Sequence, residues 1–224
     1  MLRKLDENLW VAEQPLNYLG LAVGARMTVV RLTEGSLWVH SPLRLTPELR
    51  QEVEALGPVR FLVAPNKYHH LFIGQWMAAW PEARAYAAPG LPEKRKDLSF
   101  HAVLSEQAPV EWAGQIDVLP WAGAPMLGEV VFFHRASRTL VLTDSAHNIG
   151  PEAAPLTRFA FKVLGGYGRL STWMIDGLVN RDRAAARRTV DTILQWDIQR
   201  VILAHGHIVE QDGAQAFREA YSWL

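Results

Sequence analysis

Cysteine is absent from the 224-residue chain. Disulfides, thiolate metal ligands and a cysteine nucleophile are therefore excluded, so any bound metal must be held by histidine and carboxylate side chains. An excess of either charge is also missing, because 23 Lys and Arg residues balance 23 Asp and Glu residues. No net field would draw the chain to nucleic acid or to an anionic membrane, and we expect neither as a partner.

Long apolar segments are missing as well. No run approaches the roughly 20 residues that a membrane helix needs, and the N-terminal "MLRKLDENLW" lacks the apolar core of a signal peptide. We therefore expect a cytoplasmic protein. Apolar residues make up 49% of the chain, which is enough for one well-buried domain over residues 1–224, and no repeat or linker divides it.

Strand-like and helix-like segments follow one another along the chain. The apolar and β-branched runs predict strands at 27–32, 36–41, 59–64, 84–88, 115–120, 129–134, 139–143 and 200–204. Helical spacing and capping residues predict helices at 45–56, 155–164, 181–196 and 212–222. A further helix is predicted to end near residue 80. Residues 89–100 are predicted to be a loop. Mixed order of this kind indicates an α/β (α+β) fold in which helices cover sheets.

Polar side chains follow three of the predicted strands, at the point where each strand ends. Because ligands in open α/β folds bind at the carboxyl ends of strands, these residues are the candidates for a functional site. They are Asn66, His69 and His70 after 59–64, Asp144, Ser145 and His147 after 139–143, and His205 and His207 after 200–204.

The stretch "VAPNKYHHLFIGQW", residues 63–76, holds two adjacent histidines whose spacing fits no standard zinc motif. One interpretation is a metal site. The other is a structural pair that bonds the backbone and caps the following helix, since a buried histidine needs partners for its ring nitrogens. Adjacent side chains point in different directions, so we expect one of the two to face the site.

Four phrases give the chain a family resemblance: "LWVHSPLRLTPEL", "VAPNKYHHLFIGQW", "EVVFFHRASRTLVLTD" and "VILAHGHIV". It resembles the metallo-β-lactamase fold superfamily and, within it, an uncharacterised branch of the DUF4336 type. The resemblance spans most of residues 36–209. It implies a four-layer αββα sandwich.

The resemblance also implies an altered metal motif. When the superfamily's Thr-His-x-His-x-Asp-His motif is aligned with residues 65–71, Asn66 and Tyr68 fall at its first two histidines, His70 at its aspartate and Leu71 at its last histidine. The usual dinuclear site is therefore expected to be missing. Asp144 matches the aspartate that bridges the two metals, and His205 matches the histidine of the final Gly-His motif.

The resemblance predicts a reduced site with at most one Zn, Fe or Mn ion, held by His70, Asp144 and His205, with His70 and Asp144 as the catalytic residues. Two histidines and a carboxylate with an open position suit these metals. The protein would then be a metal-dependent hydrolase of a small-molecule substrate. The residues expected to surround the metal or line its cleft are His69, His147, His207, Asn66, Tyr68, His40 and Ser41.

Two other hypotheses are compatible with the same residues. In the first, the protein has lost its metals and binds a small molecule or a protein partner without catalysis. In the second, Ser41 acts as a nucleophile with a nearby histidine, although no Gly-x-Ser-x-Gly motif supports it. The substrate and the oligomeric state are left open.

Overall fold

The computed structural model describes residues 1–172 and 179–224. Two large sheets dominate it, a seven-stranded sheet in the order β1-β2-β5-β6-β7-β8-β9 and a four-stranded sheet in the order β10-β11-β12-β13. Strands β3 and β4 form a separate two-stranded hairpin. The strands are β1 (Arg3–Asp6), β2 (Leu9–Gln14), β3 (Asn17–Tyr18), β4 (Leu21–Ala22), β5 (Ala25–Arg31), β6 (Leu37–His40), β7 (Val59–Ala64), β8 (Arg84–Ala87), β9 (Ala102–Val103), β10 (Ile116–Pro120), β11 (Val130–His134), β12 (Thr139–Val141) and β13 (Arg200–Ile202).

Helices cover the outer faces of both sheets, and one further helix lies against the β3–β4 hairpin. They are α1 (Pro47–Glu54), α2 (Ile73–Ala79), α3 (Leu91–Lys94), α4 (Pro155–Leu164), α5 (Arg183–Ile193) and α6 (Gly213–Ala220). Helix α1 begins as its sequence predicts, since the Thr46 hydroxyl accepts a hydrogen bond from the Leu49 amide and Pro47 occupies the first turn. Among the described residues, no helix combines the length and apolarity that a membrane crossing requires.

Three apolar clusters define four layers. Val11, Trp38 and Phe61 of the seven-stranded sheet pack with Val118 and Phe132 of the four-stranded sheet, so this cluster lies between the two sheets. A second cluster joins the other face of the seven-stranded sheet to α1, α2 and α3. A third joins the four-stranded sheet to α5 and α6. The predicted αββα sandwich is confirmed.

Parallel pairing brings the candidate residues to one edge. Strands β6, β7 and β8 run parallel in the first sheet, and β12 runs parallel to β13 in the second. The turns that leave the carboxyl ends of these strands therefore open on the same side of the sandwich, as expected for a ligand site in such folds.

The N-terminal quarter of the chain holds more structure than the sequence predicts. Strands β1 and β2 and the hairpin β3–β4 precede the first predicted strand, and the predicted loop 89–100 contains the short helix α3. The sequence gives no clear strand pattern in these segments, because charged residues interrupt β1 and the hairpin strands have two residues each. The β3–β4 hairpin and the residues that flank it supply one wall of the site described below.

Candidate functional site

Three side chains converge between the two sheets. The Nε2 atoms of His69 and His205 are 3.3 Å apart, and each lies 3.2 Å from Oδ1 of Asp144. His69 comes from the turn after β7, Asp144 from the turn after β12 and His205 from the turn after β13. In the described part of the chain, these are the one group of three that could hold a metal ion.

The spacing of these three atoms suits a tetrahedral metal. With metal–ligand bonds of about 2.0–2.1 Å, the ligand atoms of a tetrahedron lie roughly 3.3 Å apart. The three observed separations of 3.2–3.3 Å match that edge length. Three acceptor atoms aimed at one point also repel one another unless a proton or a cation lies among them. The donor set therefore fits a single ion with an open position.

His205 is held in a tautomer that leaves Nε2 free to bind. Its Nδ1 lies 2.8 Å from the carbonyl oxygen of Gly24, which can only accept, so Nδ1 carries the proton. A histidine ligand whose second nitrogen donates to a backbone carbonyl is the usual arrangement in metal sites. Gly206 follows with φ +87°, and a Cβ there would clash with the Asn148 carbonyl oxygen.

A buried guanidinium braces the turn that carries His205. Arg26 of β5 donates to the carbonyl oxygens of Leu203 and Gly206, one on each side of the histidine. Its charge is balanced by Glu13, whose Oε1 lies 2.9 Å from Nη2 of Arg26. Burial lowers the pKa of Arg26, against the opposing effect of Glu13. These two hydrogen bonds from Arg26 therefore hold the turn on both sides of His205.

Asp144 is positioned from two directions. The carboxylate of Glu129 accepts from the backbone amides of Thr143, Asp144 and Ser145 at 2.6, 3.0 and 2.9 Å, and so holds the turn. The side-chain amide of Asn66 donates to Oδ2 of Asp144 at 2.7 Å, which orients the carboxylate and leaves Oδ1 for the two histidines. Neither partner touches the point where the three atoms converge.

Asn66 also shapes the turn that presents His69. Its Oδ1 accepts from the amides of Tyr68 and His69 at 2.7 and 2.6 Å, which closes an Asx-type turn directly after β7. The imidazole of His69 then reaches Asp144 with Nε2, while Nδ1 lies 2.9 Å from Oγ of Ser41. Asn66 is fully buried, and it links the first-sheet and second-sheet parts of the site.

The structure places His70, the predicted ligand, away from this group. Its Nδ1 accepts from the guanidinium of Arg95 at 3.0 Å, and the grouped ligand atoms are those of His69, Asp144 and His205. The register of the superfamily motif favours His70, but the Asx-type turn directs the preceding side chain inward and His70 toward α3. His69, predicted as a surrounding residue, is the histidine that lies with Asp144 and His205 in the group.

The other predicted residues lie in different surroundings, and some of them are outside the group. His147 stacks on His205 with ring centroids 5.8 Å apart, whereas His40 is buried against Trp38 and Phe132. Tyr68 lies at the mouth of the cavity beside the site. His207 is exposed and pairs with Glu152 at 2.8 Å, so it lies outside the group.

The surroundings of the site raise the pKa of one of the adjacent histidines and lower the pKa of the other. Burial opposes protonation of His69, but the charge of Asp144 and their hydrogen bond outweigh it and raise the pKa of His69. Burial alone would raise the pKa of Asp144, yet His69 and His205 hold it well below its usual value. By contrast, burial and the charges of Lys94 and Arg95 lower the pKa of His70 to about 4.

The pKa values of two other buried groups are shifted in the directions that burial explains. Burial, helped by His205, lowers the pKa of His147 to about 3, so this imidazole is neutral near pH 7. Burial and the nearby charge of Asp144 raise the pKa of Glu129 to about 7, against the hydrogen bonds that it accepts from Thr143.

A cavity of about 520 Å³ opens beside the three converging side chains. His69, Asp144 and His205 form its polar floor, with Ser41 and His147 next to them. Most of the remaining wall is apolar, and much of it comes from residues 16–25, which include the β3–β4 hairpin. The site therefore has room for a small molecule at the open position.

Sequence reasoning missed Glu129, Arg26 and the wall at residues 16–25. A signal for Glu129 is present, since an acidic residue directly precedes the apolar strand "VVFFH" and must be paired if it is buried. Arg26 has a similar signal beside "MTVV". The carbonyl of Gly24 has none, because a backbone contact of this kind depends on the approach of two distant turns.

The fold has counterparts among solved structures. A metallo-β-lactamase from Pontibacter korlensis matches with a TM-score of 0.68 at 14% identity, over 99% of this chain and 98% of that one. A metallo-β-lactamase from Erythrobacter litoralis with β-mercaptoethanol in its active site matches with 0.68 at 12% identity, over 100% and 96%. The DIM-1 metallo-β-lactamase exposed to ceftazidime gives 0.67 at 18%, over 100% and 96%. At these identities the likeness establishes the fold.

Sequence comparison assigns the family. No curated protein matches the chain significantly. The family described as a domain of unknown function, DUF4336, matches residues 6–165, which is more than half of the chain and includes His69 and Asp144. The protein, built on the metallo-β-lactamase fold, belongs to the DUF4336 family.

Proposed function

We propose that the protein binds one transition-metal ion through His69, Asp144 and His205 and hydrolyses a small-molecule substrate in the adjoining cavity. The observation that carries this proposal is the mutual separation of 3.2–3.3 Å among the three ligand atoms. We also propose that residues 1–224 form one domain that acts in the cytoplasm.

Two histidines and one carboxylate suit Zn²⁺, Fe²⁺ or Mn²⁺. When bound, such an ion supplies Lewis acidity and a nucleophile from water at neutral pH. Hydrolysis adds the hydroxyl of water to the acyl carbon and its remaining proton to the leaving group, so no other reactant is needed.

The chain's own residues would prepare this site. Gly24 fixes His205 with its carbonyl, Ser41 contacts the outer nitrogen of His69, and Asn66 holds the second oxygen of Asp144. Outer contacts of this kind orient ligands and set metal affinity. The cavity leaves space at the open position for water and for the scissile group of the substrate.

Metal titration of purified protein tests the proposal. We expect one equivalent of Zn²⁺ or Mn²⁺ to bind to the wild type and His69→Ala or Asp144→Ala to weaken binding at least about hundredfold, because each removes a ligand. His70→Ala is the matched control, since it removes the neighbouring histidine that contacts Arg95. We expect its affinity to stay within a few fold of the wild type.

Two results would overturn the metal proposal. One is a wild-type protein that binds no metal under conditions where it is folded by circular dichroism. The other is equal loss of metal in His69→Ala and His70→Ala. The first result would favour a cavity that binds a ligand without catalysis.

A second candidate function rests on the contact between Ser41 and His69. Ser41 Oγ lies 2.9 Å from Nδ1 of His69, and Nε2 of the same ring lies 3.2 Å from Asp144, so the three groups follow the Ser–His–Asp order of a serine hydrolase triad with the two ring nitrogens exchanged. The serine also has φ +52° at the end of β6, an uncommon backbone conformation for a residue other than glycine. In a metal-free protein, His69 could take the Ser41 proton.

Chelation separates the two candidates, because they use His69 differently. A metal on Nε2 leaves Nδ1 protonated and Ser41 as an acceptor, whereas the serine reaction needs Nδ1 as the base. We expect chelator-treated protein to lose hydrolysis of p-nitrophenyl butyrate and to resist a fluorophosphonate probe. Activity that survives chelation, with labelling that disappears in Ser41→Ala, would establish the serine reaction instead.

A further inference from the structure

The walls of the cavity differ from its floor. Apolar side chains reach it from four parts of the chain: the segment before β5, the turn after β6, the turn after β7, and the loops and helix of the second half. They include Leu16, Leu21, Val23, Leu43, Leu127 and Phe161. An occupant that leaves water for these walls gains free energy in proportion to the apolar area buried.

Charged groups are scarce on these walls. In the described lining, Lys94 is the one lysine or arginine, and Asp144 on the floor is the one carboxylate. The ammonium of Lys94 already donates to the Lys67 carbonyl at 2.5 Å and lies 4.9 Å above the ring of Tyr68.

The apolar lining continues outward to the mouth. Leu19 and Leu71 both line the cavity while 84% and 56% of their surface is exposed. The hairpin that carries Leu19 is tied to helix α4, where the Thr157 hydroxyl accepts from the Ala22 amide at 3.0 Å. Exposed apolar groups at the rim of an apolar cavity are typical of a ligand-binding opening.

We infer that the occupant of this cavity is a neutral molecule with an extended apolar body and one hydrolysable carbonyl, an ester, lactone or amide, that reaches the polar floor. The volume of about 520 Å³ suits a drug-sized molecule. The inference deepens the proposed function, because the position of the carbonyl rests on the site formed by His69, Asp144 and His205.

Other substrate classes fit the walls less well. A phosphoester needs guanidinium or ammonium donors, or backbone amides at a helix N-terminus, and Lys94 is already engaged. A sugar would bring many hydroxyl groups against apolar side chains, where each unpaired hydroxyl opposes binding. A neutral carbonyl compound places its few polar atoms at the floor alone.

Calorimetric binding of N-alkylacetamides to the metal-free protein tests the inference. The butyl, hexyl and octyl members share one neutral carbonyl group and differ in apolar length. We expect affinity to rise about fourfold for each added methylene. Val23→Asp places a carboxylate in the wall and should weaken octyl binding at least about tenfold. Val110→Asp, the same change at a surface position outside the cavity, should leave it unchanged.

Octyl phosphate provides the competing class. Stronger binding of octyl phosphate than of N-octylacetamide would overturn the inference, as would affinities independent of chain length or equal effects of the two aspartate substitutions. Because these measurements use metal-free protein and involve no turnover, they separate the two proposals. Affinity that depends on chain length in a protein that binds no metal would contradict the proposed hydrolase and support the apolar pocket. Metal binding without chain-length dependence would support the metal site and contradict the apolar pocket.

Discussion

The two halves of the candidate site are held by different chemistry. The turn after β7, which carries His69, is organised by a neutral amide, because Asn66 accepts from the amides of Tyr68 and His69. The turns after β12 and β13, which carry Asp144 and His205, are organised by buried charged groups. Glu129 accepts from three successive amides of the first turn, and Arg26 donates to two carbonyls of the second.

This difference shows where the site is most sensitive to substitution. A buried charge carries a large desolvation cost, and removing its side chain leaves several backbone groups without partners. A neutral amide contributes about 1 kcal/mol for each hydrogen bond. We therefore expect the second-sheet half to be the less tolerant one, although the histidine pair on the first-sheet half is the more conspicuous feature of the sequence.

The largest effect is expected for Glu129→Gln. The substitution keeps the shape but turns an NH₂ group toward backbone amides that donate, so we expect the free energy of unfolding to fall by about 2–4 kcal/mol. Urea denaturation measures the loss. Glu106→Gln, at an exposed position, is the control and should stay within roughly 0.5 kcal/mol of the wild type. Equal values for the two variants would remove the proposed difference between the halves.

An intermediate effect is expected for Asn66. Asn66→Ala removes both the turn-closing acceptor and the donor to Asp144, and we expect a loss of about 1–3 kcal/mol of unfolding free energy together with weaker metal binding. Asn66→Asp keeps the acceptor but places a second carboxylate beside Asp144. Because the two carboxylates repel each other when both are ionised, it should regain more stability at acidic pH than near neutral pH, and it should also change metal affinity. A variant pair that changes both quantities in parallel would contradict these separate roles.

A third effect is expected in the pH dependence of stability. His40, His70 and His147 have folded pKa values of about 3, 4 and 3, below the usual 6.5, so the unfolded chain binds their protons first as pH falls. Glu129, at about 7 instead of 4.5, and His69, whose folded pKa is raised by Asp144, act in the opposite direction, because the folded protein keeps their protons to higher pH than the unfolded chain does. Stability of the metal-free protein should therefore rise with pH between 4.5 and 6.5.

The contribution of His70 to this slope can be isolated. Each net proton changes the free energy of unfolding by about 1.4 kcal/mol per pH unit at most. Urea midpoints at pH 4.5, 5.5 and 6.5 should show a shallower slope for His70→Asn than for the wild type. His207→Asn changes an exposed histidine and should keep the wild-type slope. A steeper slope in His70→Asn would show that the protonated ring is stabilised in the folded state.

The sequence predicts the sandwich better than it predicts the site. Helix α1 has a local cause in the Thr46 cap, and β7 has one in a run of apolar residues, so both are found near their predicted bounds. The residues after β7 follow no period. Their directions depend on the hydrogen bonds of Asn66, so the choice between His69 and His70 could not be made from spacing.

The cavity walls were beyond sequence reasoning for a different reason. They combine a two-residue-strand hairpin near the N-terminus with loops more than a hundred residues away, such as the one that carries Leu127. Apolar residues in such segments resemble ordinary surface or core positions until the fold brings them together. By contrast, Asp144 and His205 each follow a recognisable strand, and parallel pairing places the ends of those strands side by side.

Gly206 limits which sequences can carry this site. A side chain there would occupy the space of the Asn148 carbonyl oxygen, and the backbone angle is one that other residues rarely adopt. No neighbouring side chain can move to relieve this, because the obstacle is main chain. Divergent descendants of this protein could therefore exchange the exposed His207 freely, yet any lineage that loses the glycine must rebuild the bend before it can keep His205 in position.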